Sequence, residues 1–189
     1  ATANDTPHNA KLKGDGRMHA ALINAVAARE RVPSALPGMR INGIEVPMLR
    51  TDVEQALGDA HRTRQPHNKA RETFVRSMLN AMRNRYVERL DYTPEQSELS
   101  DVMLQLRMND DIRRTLNLAW LPMTGSWLVA QLFSKPQQLR RFSPLPADAD
   151  IRSLTRARKS PMTRPDIALL DLSLFHISRC RPSTPSTLR

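Results

Sequence analysis

Residues 67–90 read HNKARETFVRSMLNAMRNRYVERL, and this stretch decides the fold. Ala70, Phe74, Val75, Met78, Leu79, Met82, Tyr86 and Leu90 recur every three or four residues, the spacing that lines up side chains on one face of an α-helix. A helix from His67 to Leu90 is therefore predicted, and its apolar stripe makes it the main contributor to a core. The other faces carry Lys69, Arg71, Arg76, Arg83, Arg85 and Arg89 against Glu72 and Glu88, so one long surface is expected to be strongly positive.

On the N-terminal side, Thr51-Asp52-Val53-Glu54 places a hydroxyl and a carboxylate three residues apart. This capping-box pattern predicts a helix from about Asp52 to Arg64. Just before it, Asn42-Gly43 lies between the β-prone flanks Met39-Arg40-Ile41 and Ile44-Glu45-Val46. That is the signal for a two-residue type I′ turn and a hairpin near residues 40–46. Met18, Ala21, Leu22, Ala25 and Val26 predict a first helix from Asp15 to Arg31, stopped by Pro33. Residues 1–12 show no periodicity and read as a flexible lead-in.

On the C-terminal side, Thr93-Pro94-Glu95-Gln96 has a cap, then Pro at the first helical position, and opens a helix to about Met108. Asn109 or Asp110 caps a short helix through Leu118, and Thr124 caps another from Gly125 to Phe133. Weaker patterns predict helices over 137–142, 148–157 and 163–172. From Ser173 onwards the chain is polar and broken by proline, which predicts a disordered tail over 173–189. The fold class is thus mainly α, an irregular multi-helix bundle with one small hairpin, and its helical interaction domain spans residues 13–172.

The composition limits the function. The chain has 189 residues, 40% of them apolar, with 14 prolines and only four Phe, two Tyr and two Trp, which suits a loosely connected helical body better than a dense α/β core. Its 29 basic and 19 acidic residues give a net charge of +10, so an acidic or polyanionic partner is implied. Arginine-decorated, solvated helix faces are the plainer reading of the same excess. Cys180 is the single cysteine, which leaves no intramolecular disulfide or Cys-based zinc cluster and fits a reducing, cytoplasmic setting. No apolar run reaches the length of a membrane span.

A nucleotide hydrolase needs a glycine-rich phosphate loop ending in Lys and Ser or Thr, and the sequence has none. Lys13-Gly14-Asp15-Gly16-Arg17 has two glycines beside basic residues, but it lacks the preceding strand and the spacing, so it reads as a turn at a helix start. His61 and His67 are separated by a proline and make no fixed metal-ligand pair. No acid/base constellation stands out.

Two features point to recognition instead. Arg62, Arg64, Lys69, Arg71 and Arg76 form a basic block around Gln65-Pro66-His67-Asn68, suited to phosphates or acidic side chains. The same block also fits a solvated helix junction with Asn68 as cap. Trp120 and Trp127 bracket a proline turn, either as core residues or as a partner-facing pair, with burial the preferred reading.

With these residues in view, the sequence resembles the HelD family, helicase-like ATPases related to UvrD and Rep that associate with bacterial RNA polymerase. The likeness lies in ordered landmarks: Leu12-Lys13-Gly14-Asp15-Gly16-Arg17-Met18, then Arg64-Gln65-Pro66-His67-Asn68-Lys69-Ala70-Arg71 with Phe74-Val75. Asp111-Ile112-Arg113-Arg114 with Leu116-Asn117, Trp120-Leu121-Pro122-Met123-Thr124 with Leu132-Phe133, and Met162-Thr163-Arg164-Pro165-Asp166-Ile167-Ala168-Leu169-Leu170-Asp171 complete the series.

In that family the stretch resembles the insertion between the ATP-binding loop and the acidic Walker B motif. The resemblance implies a non-catalytic segment that binds core RNA polymerase, with DNA or RNA as a further partner, and aids clamp opening or recycling. ATP and magnesium are implied only for the full-length family protein, and the remainder of the motor is an implied partner. Met162 stands where the family has Trp, and the likeness ends after Asp171, as in a truncated or frame-shifted product. ATPase activity is therefore not carried over to this chain. The alternative is a free-standing basic nucleic-acid-binding protein that uses the helix from His67 to Leu90.

Overall fold

A computed structural model describes residues 5–143 and 147–177. Among them are ten helices and one two-stranded antiparallel hairpin, so the chain is mainly α as the sequence predicts. Contacts divide it into two compact units: residues 29–122 form one, and residues 1–28 with 123–189 form the other.

The unit of residues 29–122 contains β1 (Gly38–Ile41), β2 (Ile44–Pro47), α3 (Arg50–Arg62), α4 (His67–Val87), α5 (Gln96–Met108) and α6 (Asp110–Ala119). The other unit contains α1 (Pro7–Lys13), α2 (Gly16–Ala27), α7 (Gly125–Leu132), α8 (Pro136–Phe142), α9 (Asp148–Leu154) and α10 (Arg164–Ile177).

Helix α4 supplies the centre of the first core. Phe74, Met78 and Met82 are fully buried, each contributing roughly 1.5–3 kcal/mol by leaving water. Ile41, Val46, Val53, Leu106, Ile112 and Trp120 close around them. The hairpin turns at Asn42 (φ 48°) and Gly43 (φ 83°), both left-handed as a type I′ turn requires, and Ile41 pairs with Ile44. Asn109 caps α6 through the amides of Asp111 and Ile112, as expected.

Several element ends differ from the sequence expectation. The first helix stops at Ala27 rather than Arg31, because residues 29–31 turn extended and pair with 119–121. Helix α3 starts at Arg50, so Thr51 is not its cap; the Asp52 carboxylate accepts from the Leu49 amide and also forms a two-pronged bond with Arg85. Thr93 does not cap α5, which starts at Gln96, and Glu98 in its first turn accepts from the hydroxyls of Tyr86 and Tyr92. Asn68 is the second residue of α4 rather than its cap.

The second unit packs its six helices around Met18, Leu22, Leu128, Val129, Phe133 and Leu139. Thr124 caps α7 as expected. A methyl group on Gly125 would run into the Ser173 hydroxyl, so glycine allows α7 and α10 to approach closely. The expected flexible lead-in holds α1, because Thr6 accepts from the Asn9 amide and Pro7 starts the helix. The last helix continues past the expected stop at Leu172 to Ile177. Cys180 and the remainder of the expected tail lie outside the described residues.

An ion cluster joins the two sequence segments of this unit. Lys13 Nζ lies 2.7 Å from Asp5 and 2.9 Å from Asp166, and Arg156 Nη2 lies 2.6 Å from the other Asp166 oxygen. The Thr163 amide donates to Asp166 at 2.7 Å, and the Thr163 hydroxyl donates to Asp5. Lys13 and Asp166 are buried, so each charge depends on the others for compensation. Burial pushes the Asp166 carboxyl up, but the hydrogen bonds from Thr163, Lys13 and Arg156 outweigh it and hold the group below the ordinary carboxylate range.

Replacing Asp166 by Asn is expected to destabilise the chain by about 3–5 kcal/mol at neutral pH in chemical unfolding, since Lys13 is left buried without its full charge partner. Because the folded carboxyl titrates below the unfolded one, its stabilisation is complete above about pH 4 and is lost as pH falls through the folded value. The acid limb of stability is therefore shallower in Asp166→Asn than in the parent.

Candidate partner-binding surface

The unit of residues 29–122 has its two ends laid antiparallel. The Arg31 amide donates to the Ala119 carbonyl at 2.8 Å, the Leu121 amide donates to the Arg29 carbonyl at 3.4 Å, and Glu30 bridges Trp120. The basic block predicted from sequence starts beside this neck, at the turn between α3 and α4.

At that turn Arg64 adopts φ 52°, an uncommon left-handed conformation for a residue with a side chain. Its exposed guanidinium makes no hydrogen bond or ion pair among the described residues. Arg62 pairs with Asp59 within α3. Lys69 pairs with Glu72 at 2.8 Å, and Arg76 reaches only Thr73 Oγ1 at 3.4 Å. Arg62, Arg64, Lys69 and Arg76 are thus solvent-facing cations whose local pairs are weak in water.

Arg71 differs from them. It is half-buried, with Nε donating to the Trp120 carbonyl at 2.9 Å and Nη2 to Asn117 Oδ1 at 2.6 Å. Burial pulls its guanidinium below the usual arginine value. The residue therefore clamps α4 to the end of α6 and the neck, a positioning role that the sequence reading merged with surface charge.

The histidines set aside as metal ligands meet at one carboxylate. Glu30 lies 2.5 Å from His61 Nε2 and 3.0 Å from His67 Nδ1, while His67 Nε2 lies 2.8 Å from the Leu121 carbonyl. Both ring nitrogens of His67 face oxygen atoms, one of Glu30 and one of the Leu121 carbonyl. Burial pushes Glu30 up, but the His67 and His61 hydrogen bonds outweigh this and hold its carboxyl below the ordinary range. No group of three or more His, Cys, Asp or Glu able to hold a metal ion occurs among the described residues.

Trp120 is buried, with ring centroids 5.1 Å from His67 and 5.6 Å from Phe74. Its indole nitrogen has no hydrogen-bond partner among the described residues. Trp127 belongs to the other unit, half-buried, with the Arg158 guanidinium 6.0 Å from its ring. The two tryptophans are therefore not a stacked pair within one unit.

The long positive stripe expected on α4 is broken. Arg71 turns inward, and Arg85 is drawn into its double bond with Asp52. Sequence reasoning missed a pocket of about 330 Å³ between α4, α5 and α6, framed by Arg71, Arg107 and Arg113 over Val75, Leu79 and Leu116. Arg107 and Arg113 come from helices outside the predicted block, so only the packing of three helices brings them to Arg71.

The sequence matches no model of a known protein family, and no curated protein is similar to it.

The geometry separates the roles of the predicted cations. Arg71→Ala is expected to lower stability by about 1–3 kcal/mol in a thermal or chemical melt, since it orphans the Trp120 carbonyl and Asn117. Arg64→Ala and Arg76→Ala are each expected to stay within about 0.5 kcal/mol of the parent.

Proposed function

We propose that this chain is a non-catalytic, partner-binding segment of a HelD-like motor, which binds core RNA polymerase in the cytoplasm and helps open its clamp or recycle it. The solvent-facing cations of the α3–α4 turn and the pocket edge supply the contact surface. ATP, magnesium and the helicase-like chemistry belong, on this reading, to the rest of the motor.

One observation carries the reading. The landmarks that give the family resemblance lie far apart in sequence, yet they meet inside each unit. Lys13 of the first landmark bonds Thr163 and Asp166 of the last, and Lys13 and Thr163 are 150 positions apart in sequence. His67 and Arg71 of the second landmark bond Leu121, Trp120 and Asn117 of the third and fourth. The residues that carry the resemblance are thus among those that close both units.

Free-standing nucleic-acid binding through α4 has less support, because Arg71 and Arg85 are engaged internally and the stripe they would complete is interrupted. A pull-down at moderate salt tests the proposal, with immobilised core polymerase and the full chain, its folding checked by circular dichroism. Retention that weakens as salt rises is expected, and Arg62→Ala, Arg64→Ala and Arg76→Ala combined weaken it further. A folded chain that passes through unretained contradicts the proposal.

A further inference from the structure

The pocket edge has a chemistry that narrows the class of partner. Its guanidiniums come from three helices: Arg71 on α4, Arg107 on α5 and Arg113 on α6. Among the described residues that line it there is no carboxylate. Arg107 is exposed and makes no hydrogen bond or ion pair among the described residues. Arg113 has only an exposed contact with Asp110 at 3.4 Å. Arg71 uses Nε and one Nη2 proton internally, and the rest of its fork remains for a ligand.

The floor between these cations is aliphatic. A second pocket of about 320 Å³, between α4 and α5, shares Arg107 and is edged by Arg83, Leu99, Met103 and Leu104. Leu104 and Met108 are 58% and 65% exposed, so α5 presents apolar side chains beside Arg107. Aliphatic side chains interleaved with guanidiniums, with no carboxylate among the described residues that line either pocket, are complementary to a segment that alternates aliphatic side chains with carboxylates.

We propose that this double pocket docks an acidic amphipathic segment of a partner protein, with aliphatic side chains in the two pockets and carboxylates on Arg107, Arg113 and the free edge of Arg71. Planar guanidiniums bind carboxylates through paired, charge-assisted hydrogen bonds. Single-stranded nucleic acid fits less well, because no aromatic side chain lines either pocket to stack on a base. A small inorganic anion leaves the aliphatic floor uncovered. The inference rests on the reading of residues 29–122 as a partner-binding unit, but not on which partner that is.

The test titrates the full chain into a fluorescein-labelled synthetic peptide with two leucines one helical turn apart among glutamates, followed by anisotropy. Binding is expected to weaken about tenfold in Arg107→Glu and in Arg113→Glu, each losing a charge-assisted contact and gaining repulsion. Arg40→Glu on the exposed hairpin changes the net charge equally and is expected to leave binding within about twofold. A peptide with serine in place of leucine is expected to bind at least about tenfold more weakly.

Three results overturn the inference: no binding of the leucine peptide, equal loss in Arg40→Glu and Arg107→Glu, or an oligonucleotide of matched charge that binds as tightly and is equally sensitive to Arg107→Glu. The same variants in the polymerase pull-down separate the two proposals. Polymerase retention unaffected by Arg107→Glu and Arg113→Glu, together with no peptide binding, removes the docking pocket and leaves the module reading in place. Peptide binding without polymerase retention does the reverse.

Discussion

Residues 29–122 depend on the closure of their two ends, where Arg29 to Arg31 lie antiparallel to Ala119 to Leu121. Closing a long segment costs loop entropy that grows only slowly with length. The backbone bonds of the neck each return about 1 kcal/mol net and leave little surplus. Side chains supply what is missing. Trp120 is buried beside His67 and Phe74, His67 ties Glu30 to the Leu121 carbonyl, and Arg71 holds the Trp120 carbonyl from α4. Neck and core are thus one structure, and α4 is fixed in register by the same contacts that close the chain.

The other unit solves a similar closure problem with charge. Its two sequence segments are joined where Lys13 and Arg156 share Asp166. A buried ion pair is seldom worth more than the apolar contact it replaces, because desolvation offsets the Coulomb attraction. Its value here is selectivity: a lysine buried at the end of α1 is shared between Asp5 and Asp166, and a shifted register of α10 removes one of its two carboxylates. The turn that follows Lys13 fits the same logic, since the Asp15 carboxylate caps α2 and holds Arg17. The helix start is met by the chain's own Asp15 carboxylate, which accepts from the Arg17 amide.

Local signals in the sequence gave local structure. The apolar stripe of α4, the Asn42-Gly43 turn and the caps at Asn109 and Thr124 need only neighbouring residues, and the structure places each of them as expected. The early end of α2 was not legible, because residues that favour helix there are pulled extended by pairing with a segment some ninety positions away. Thr51 and Thr93 looked like caps, but α3 begins earlier, where the Asp52 carboxylate caps the Leu49 amide, and α5 begins later, at Gln96. The candidate surface follows the same division. A basic block is visible in one stretch, whereas the inward turn of Arg71 and the convergence of Arg107 and Arg113 exist only after three helices pack.

The recognition surface and the closure are therefore coupled through Arg71, which touches the neck and edges the pocket. Segment-resolved hydrogen exchange of the full chain carrying Glu30→Ala tests this account most directly. Protection is predicted to fall at residues 29–32, at 117–121 and at the start of α4, while the helices built from residues 5–28 and 123–177 keep theirs. Unchanged exchange at the neck, or an equal loss of protection throughout the chain, would contradict the account.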